Sequence, residues 1–210
     1  MVGKSEEVYN ILKNKIIKFE LSPGAVITDE LLKELNVSKT PLREALIELE
    51  REGFVRINPR KGTVVTDITR DLIDHVYEVR LQVEPYIART YYKNVNLDAL
   101  KDMKLKLEGY SSGKDIDRSY YIDLDNELHD TILESCTNSF IYKMLVSANA
   151  HNRRIREQTS MRNEDYMHAI VQHLSIIAAY EIGNPDAIDA AVKYHIVWGR
   201  KDAHDYFDAR

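Results

Sequence analysis

Two β-branched runs, Phe54–Ile57 and Thr63–Thr66, bracket the polar turn Asn58-Pro59-Arg60-Lys61-Gly62, and no later stretch alternates as a strand does. A lone hairpin is marginal in water. It must therefore lie on helices, and helical spacing is what precedes it. Val8, Ile11, Leu12, Ile16 and Phe19 form one apolar face over Ser5–Phe19, and Ser22-Pro23-Gly24 then breaks the chain. A short helix is expected next, capped by Thr28, with Asp29 and Glu30 in its first turn and an end near Leu35-Asn36. Ser38 begins a third helix with Pro41 in its first turn. Leu42, Ala45, Leu46 and Leu49 line its inner face, and Gly53 stops it.

Two short helices joined by a tight turn and followed by a hairpin make a winged helix-turn-helix. The outer face of the third helix starts with Ser38, Lys39 and Thr40 and continues with Arg43. The first turn of a recognition helix is the part that reaches base edges. Arg43 can grip guanine with two hydrogen bonds, while Ser38, Lys39 and Thr40 suit phosphates or bases. Arg60 and Lys61, beside Gly62 at the hairpin tip, would lie on a neighbouring groove or backbone. Charge agrees in direction. The chain carries a net −5, yet residues 1–66 hold 11 basic against 10 acidic side chains, while the remainder holds 18 against 24. Only the first segment can approach a polyanion without strong repulsion. On its own, a basic helix face is equally well read as solvated charge.

The run VSKTPLREAL, continued through EGFV, resembles the GntR family of bacterial transcriptional regulators. That resemblance implies recognition-helix roles for Lys39, Thr40 and Arg43, makes Gly62 the wing glycine, and implies double-stranded DNA as partner. It also implies a homodimer on a pseudo-palindromic operator, expected to act as a repressor. Lys39 stands where the family usually has arginine, which weakens bidentate readout there. Asp29 falls near a position where some members set an arginine against DNA, so that contact is expected to be missing.

From about Thr69 the periodicity is helical throughout, with helices near 69–93, 97–110, 115–135, 139–160, 163–182 and 185–205. Gly183-Asn184-Pro185 is the sharpest boundary: glycine closes one helix, asparagine caps the next, and proline takes its first position. The expected fold is mainly α, a winged helix-turn-helix over 1–67 followed by an all-α bundle of six or seven helices over 68–210. This second part resembles the FCD class of GntR regulators, through Val79-Arg80…Glu84-Pro85, Asp125-x-x-Leu-His129 and His173…His195.

Asp125 and His129 are four apart and share a helix face. His173 lies 11 residues before Asn184 and His195 lies 11 after it. In an antiparallel pair hinged at Asn184 both stand roughly 16 Å from the turn, side by side. Three imidazoles and a carboxylate suit a divalent transition metal, zinc first, with nickel, manganese or iron as alternatives, and not calcium or magnesium. An Asp-x-x-x-His pair by itself is weak evidence. The resemblance implies the metal, because metal-binding FCD members set Asp, His, His and His at these positions.

Arg80 shares a stripe with Val76, Val83 and Ile87, which sets a guanidinium among apolar neighbours. Two readings stand: an internal ion pair with Glu84, or a clamp for the carboxylate of a small organic acid effector. Pro85 removes a hydrogen bond to Leu81 and is expected to bend its helix. His75, His168 and His204 read as surface or satisfied core positions, and His151 as a weaker pocket candidate. A metal-dependent hydrolase is the rival function. It lacks an evident general base, since Glu127 and Glu134 fall away from the Asp125–His129 face. A sensor of the metal itself is the third reading. One cysteine, Cys136, no secretory signal and no apolar run of membrane-spanning length predict a cytoplasmic protein with no membrane partner.

Overall fold

The computed structural model describes residues 3–28, 31, 37–59, 62–111, 117–159 and 164–209. Residues 29–30 and 32–36 of the short helix expected after Thr28, and Arg60 and Lys61 at the hairpin tip, lie outside them. The chain divides into two compact units, residues 1–69 and 70–210.

In the first unit, α1 (Lys4–Ile17) lays Val8, Leu12 and Ile16 against Leu42, Ala45, Leu46 and Leu49 of α2 (Lys39–Arg51). Lys13 pairs with Glu52 at 2.6 Å, and the Tyr9 hydroxyl donates to the same carboxylate. The first helix ends two residues before its sequence pattern does. Phe19 adopts φ 60°, a left-handed conformation that turns the chain out of the helix. Gly53, at φ 84°, ends α2. Ser38 holds the N-cap position in extended conformation, but its side chain makes no capping hydrogen bond.

The hairpin pairs β2 (Val55–Asn58) with β3 (Gly62–Val65), Val55 facing Val65 and Asn58 facing Gly62. A third strand, β1 (Val26–Ile27), pairs with β3 on its other side, giving the order β1-β3-β2. Sequence reading passed over β1, because two residues are too few for an alternating pattern. Its position follows from Gly24, whose φ of 79° turns the chain so that its N–H donates to the Val65 carbonyl at 3.0 Å.

The second unit contains six α-helices among the described residues: α3 (Arg70–Thr90), α4 (Leu97–Ser111), α5 (Arg118–Glu134), α6 (Ser139–Thr159), α7 (Glu164–Ile182) and α8 (Pro185–Asp208). A 3-10 turn, Tyr92–Asn94, links α3 to α4. The central helix is α3, packed on α8 and α6, while α7 packs on α8 and α4. It runs unbroken past Pro85, which is buried. At the α7–α8 turn Gly183 takes φ 70°, and the Asn184 side chain accepts from the Asp186 and Ala187 N–H groups at 3.0 and 3.2 Å. No helix among the described residues is long and apolar enough to cross a membrane.

Candidate metal centre and DNA-facing surface

The α7–α8 hairpin brings His173 and His195 together, with ring centroids 4.6 Å apart. Helix α5 supplies Asp125 and His129, one turn apart. His173 Nε2 lies 3.0 Å from Asp125 Oδ1, His129 Nε2 lies 3.7 Å from the same oxygen, and the Nε2 atoms of His129 and His195 are 3.2 Å apart. One donor atom from each of the four residues falls within 4.8 Å of the others, and all four residues are buried.

The outer nitrogens of two of the rings have partners of their own. Glu84 of α3 faces His129 Nδ1 through a short contact, and Gln172 Oε1 accepts from His195 Nδ1 at 2.9 Å. With the proton on Nδ1 of each ring, both Nε2 lone pairs point at one another across 3.2 Å. Beyond the approach of its Nε2 to Asp125, neither ring nitrogen of His173 makes a hydrogen bond among the described residues. Burial, helped by His129 and by the guanidiniums of Arg156 and Arg80, pushes His173 well below the usual imidazole range. Burial followed by His173 and His129 does the same to His195. His173 and His195, both held below the usual imidazole range, together with His129 and the Asp125 carboxylate form a donor set that a divalent transition cation fits and an apolar filling does not.

Arg80 and Glu84 are 2% and 1% exposed, and Arg80 Nη2 and Nε approach Glu84 Oε2 at 2.9 and 3.0 Å. Burial alone would raise the Glu84 carboxyl, but Arg80 and His129 outweigh it and bring it down to about 2. The ion pair left open by the sequence is present, and Glu84 serves His129 as well. On the far side Arg156 of α6 contacts Asp125 Oδ2. Burial, and then Arg80, lower the Arg156 guanidinium to about 10.

A cavity of about 70 Å³ lies against this cluster, with Asp125, His195, Arg80 and Arg156 among its lining residues. Sequence reading missed Arg156, Gln172 and the second role of Glu84. Each acts across a helix-helix contact, and no spacing along one helix announces it. Glu127 and Glu134 are exposed, as are His75 and His168, while His204 meets Asp74 at 2.8 Å. His151 is buried on α6 and Cys136 is buried.

In the first unit Ser38, Lys39, Thr40 and Arg43 are all exposed along the start of α2, opposite its buried leucines. Gly62 opens β3 at φ 83°, a conformation that glycine adopts without strain.

A three-stranded winged helix unit followed by a helical unit with a buried donor cluster defines a two-part transcriptional regulator. The sequence matches the gntR family of bacterial regulatory proteins over residues 4–65 and the FCD domain over residues 75–197. The chain belongs to the GntR family, among the regulators that carry an FCD domain. It is 22% identical to the transcriptional repressor RspR of Escherichia coli, over 91% of this chain and 85% of that one. Its fold matches E. coli McbR/YncC with a TM-score of 0.83 at 18% identity, covering 99% of this chain and all of the other. The metal-free FCD domain of TM0439 aligns with a TM-score of 0.58 at 16% identity, covering 69% of this chain and 99% of that domain.

Proposed function

We propose that this regulator is a repressor whose hold on DNA is set by a small organic acid bound at a metal centre. The observation that carries the reading is the convergence of Asp125, His129, His173 and His195, with Nδ1 of His129 and of His195 each engaged elsewhere. RspR is named a repressor and the TM0439 domain is described as metal-free, and both descriptions agree with this reading. The four residues would hold a divalent transition ion, zinc first. When bound, it supplies Lewis acidity and an open position for a carboxylate oxygen.

Charge favours an acid as the ligand. Asp125 and Glu84 balance Arg156 and Arg80 within the cluster. A divalent ion then leaves a net positive buried site, which an anion offsets. Arg80 remains the effector contact of choice, since it lines the cavity, and Arg156 joins it. Glu84 stays in place during binding, because giving up Arg80 to a ligand would also strip His129 of its acceptor.

Ser38, Lys39, Thr40 and Arg43 would read the operator, with Arg60, Lys61 and Gly62 of the wing on the adjoining backbone. Two copies would read the two halves of the site, in the cytoplasm. The acid acts by binding the operator-competent and operator-free arrangements unequally. Gel-shift titration of the chain on its own upstream DNA, with and without a panel of metabolic acids, tests this. Operator binding that no acid alters, in protein with no bound metal, would overturn it.

A further inference from the structure

Gly199 lies inside α8, which runs antiparallel to α3: Arg89 meets Asp186 at 2.8 Å near one end of the pair, and Asp74 meets Arg200 at 2.7 Å toward the other. Within a helix glycine is less favourable than alanine, because it gives up more backbone freedom. A close approach accounts for it here. A Cβ added to Gly199 would lie 3.2 Å from the Tyr77 hydroxyl and 3.4 Å from Cε1 of the same ring, closer than relaxed contacts between such atoms. Gly109 of α4, by contrast, would meet nothing within 4 Å. Gly199 thus admits the hydroxyl end of Tyr77 against the backbone of α8.

Both residues line the cavity beside the donor cluster. The Arg80 guanidinium lies 5.4 Å from the Tyr77 ring centroid, so this ring adjoins the group proposed to take the effector carboxylate. Tyr77 is buried, and the open space its ring borders is the cavity. Two other aromatic walls are held in place. Tyr121 and Tyr166 pack with ring centroids 4.8 Å apart, and Tyr121 also stacks on His173. A side chain at position 199 would therefore be accommodated by Tyr77 moving into the cavity. There is little room to lose. At about 10–15 Å³ for each water-sized space, the cavity's volume of about 70 Å³ holds roughly five to seven non-hydrogen atoms.

Building on the organic-acid reading above, we propose that Gly199 and Tyr77 set the size of the effector: a short carboxylic acid of about five to seven non-hydrogen atoms, its carbon chain resting on the Tyr77 ring. Each methylene that enters leaves water for an aromatic wall, which tightens binding about fourfold until the space is filled. A longer chain has to displace a buried ring, and loses affinity.

Calorimetric titration of the full-length chain, purified without chelator, with straight-chain acids from acetate to heptanoate tests this. In the parent chain affinity should climb from acetate to pentanoate and fall by heptanoate. Gly199→Ala should lower the ratio of pentanoate to acetate affinity about tenfold, the worth of one to two methylenes. Adding Tyr77→Phe, which removes the nearest atom, should restore most of that ratio. The ratio is the readout because damage to the fold or loss of metal weakens both acids together. Tyr77→Phe alone should move the best acid to a longer chain, and it decides the matter if Gly199→Ala does not fold. A ratio left at the parent value in Gly199→Ala, or an unmoved optimum in Tyr77→Phe, would overturn the proposal and leave the acid pocket standing. Failure of the parent chain to bind any of these acids would overturn the acid pocket and this proposal with it.

Discussion

The Nε2 atoms of His129 and His195 face each other at 3.2 Å while their Nδ1 atoms are turned outward, one to Glu84 and one to Gln172. Where each ring holds its proton on Nδ1, the two Nε2 lone pairs repel unless a metal cation or a shared proton lies between them. Elemental analysis of gently purified protein should therefore find close to one divalent transition ion per chain, and His173→Ala should abolish it. The ligands come from three helices, so metal present at 1,000 times its Kd adds about 4 kcal/mol to stability. Chelator should lower the melting temperature accordingly. Metal-free protein with a melting curve indifferent to chelator would count against the site.

Glu84 has two jobs that separate by mutation. Glu84→Gln keeps the shape but can no longer serve His129 and Arg80 as a charged acceptor, and metal affinity should fall about 10- to 100-fold in competition with a chromophoric chelator. Glu84→Ala strands the Arg80 guanidinium at 2% exposure. Urea unfolding should then show a loss of about 3–5 kcal/mol. Replacing both residues by methionine should be milder than Glu84→Ala alone, since no buried charge is left unpaired. A double variant as unstable as the single one would mean that packing, not charge, sets the cost.

Arg43 is exposed one turn into α2, on the face away from Leu42 and Leu46. Arg43→Ala should weaken specific operator binding by about 1–3 kcal/mol at fixed salt and leave nonspecific binding nearly intact. Arg60→Ala should instead weaken binding evenly across sequences. Unchanged operator affinity in the Arg43 variant would move base recognition elsewhere on the helix.

Asn184 accepts two backbone N–H groups at the head of α8 and so fixes the hinge from which His173 and His195 are equidistant. Asn184→Ala should lose about 1 kcal/mol, the usual worth of such a cap. Thermal melts of the apo and metal-loaded protein should shift down together. A variant as stable as the parent would mean that the Gly183 turn and Pro185 hold the hinge unaided.

The sequence by itself determined the features that repeat along a single helix or turn about a single hinge. Asp125 and His129 share a face because they are four apart. His173 and His195 meet because each lies 11 residues from Asn184. The same local logic marks the wing, the Asn184 cap, the start of α2 at Ser38, and the exposed Ser38, Lys39, Thr40 and Arg43. Tertiary structure alone decided what crosses between elements. It put β1 beside β3, turned Glu84 to His129 and Gln172 to His195, set Arg156 on Asp125, and gathered side chains of several helices around one cavity. Periodicity fixes which side of a helix a residue occupies, but which neighbour that side meets depends on how whole helices pack. That is settled by the burial of every apolar face at once, and no local pattern of residues encodes it.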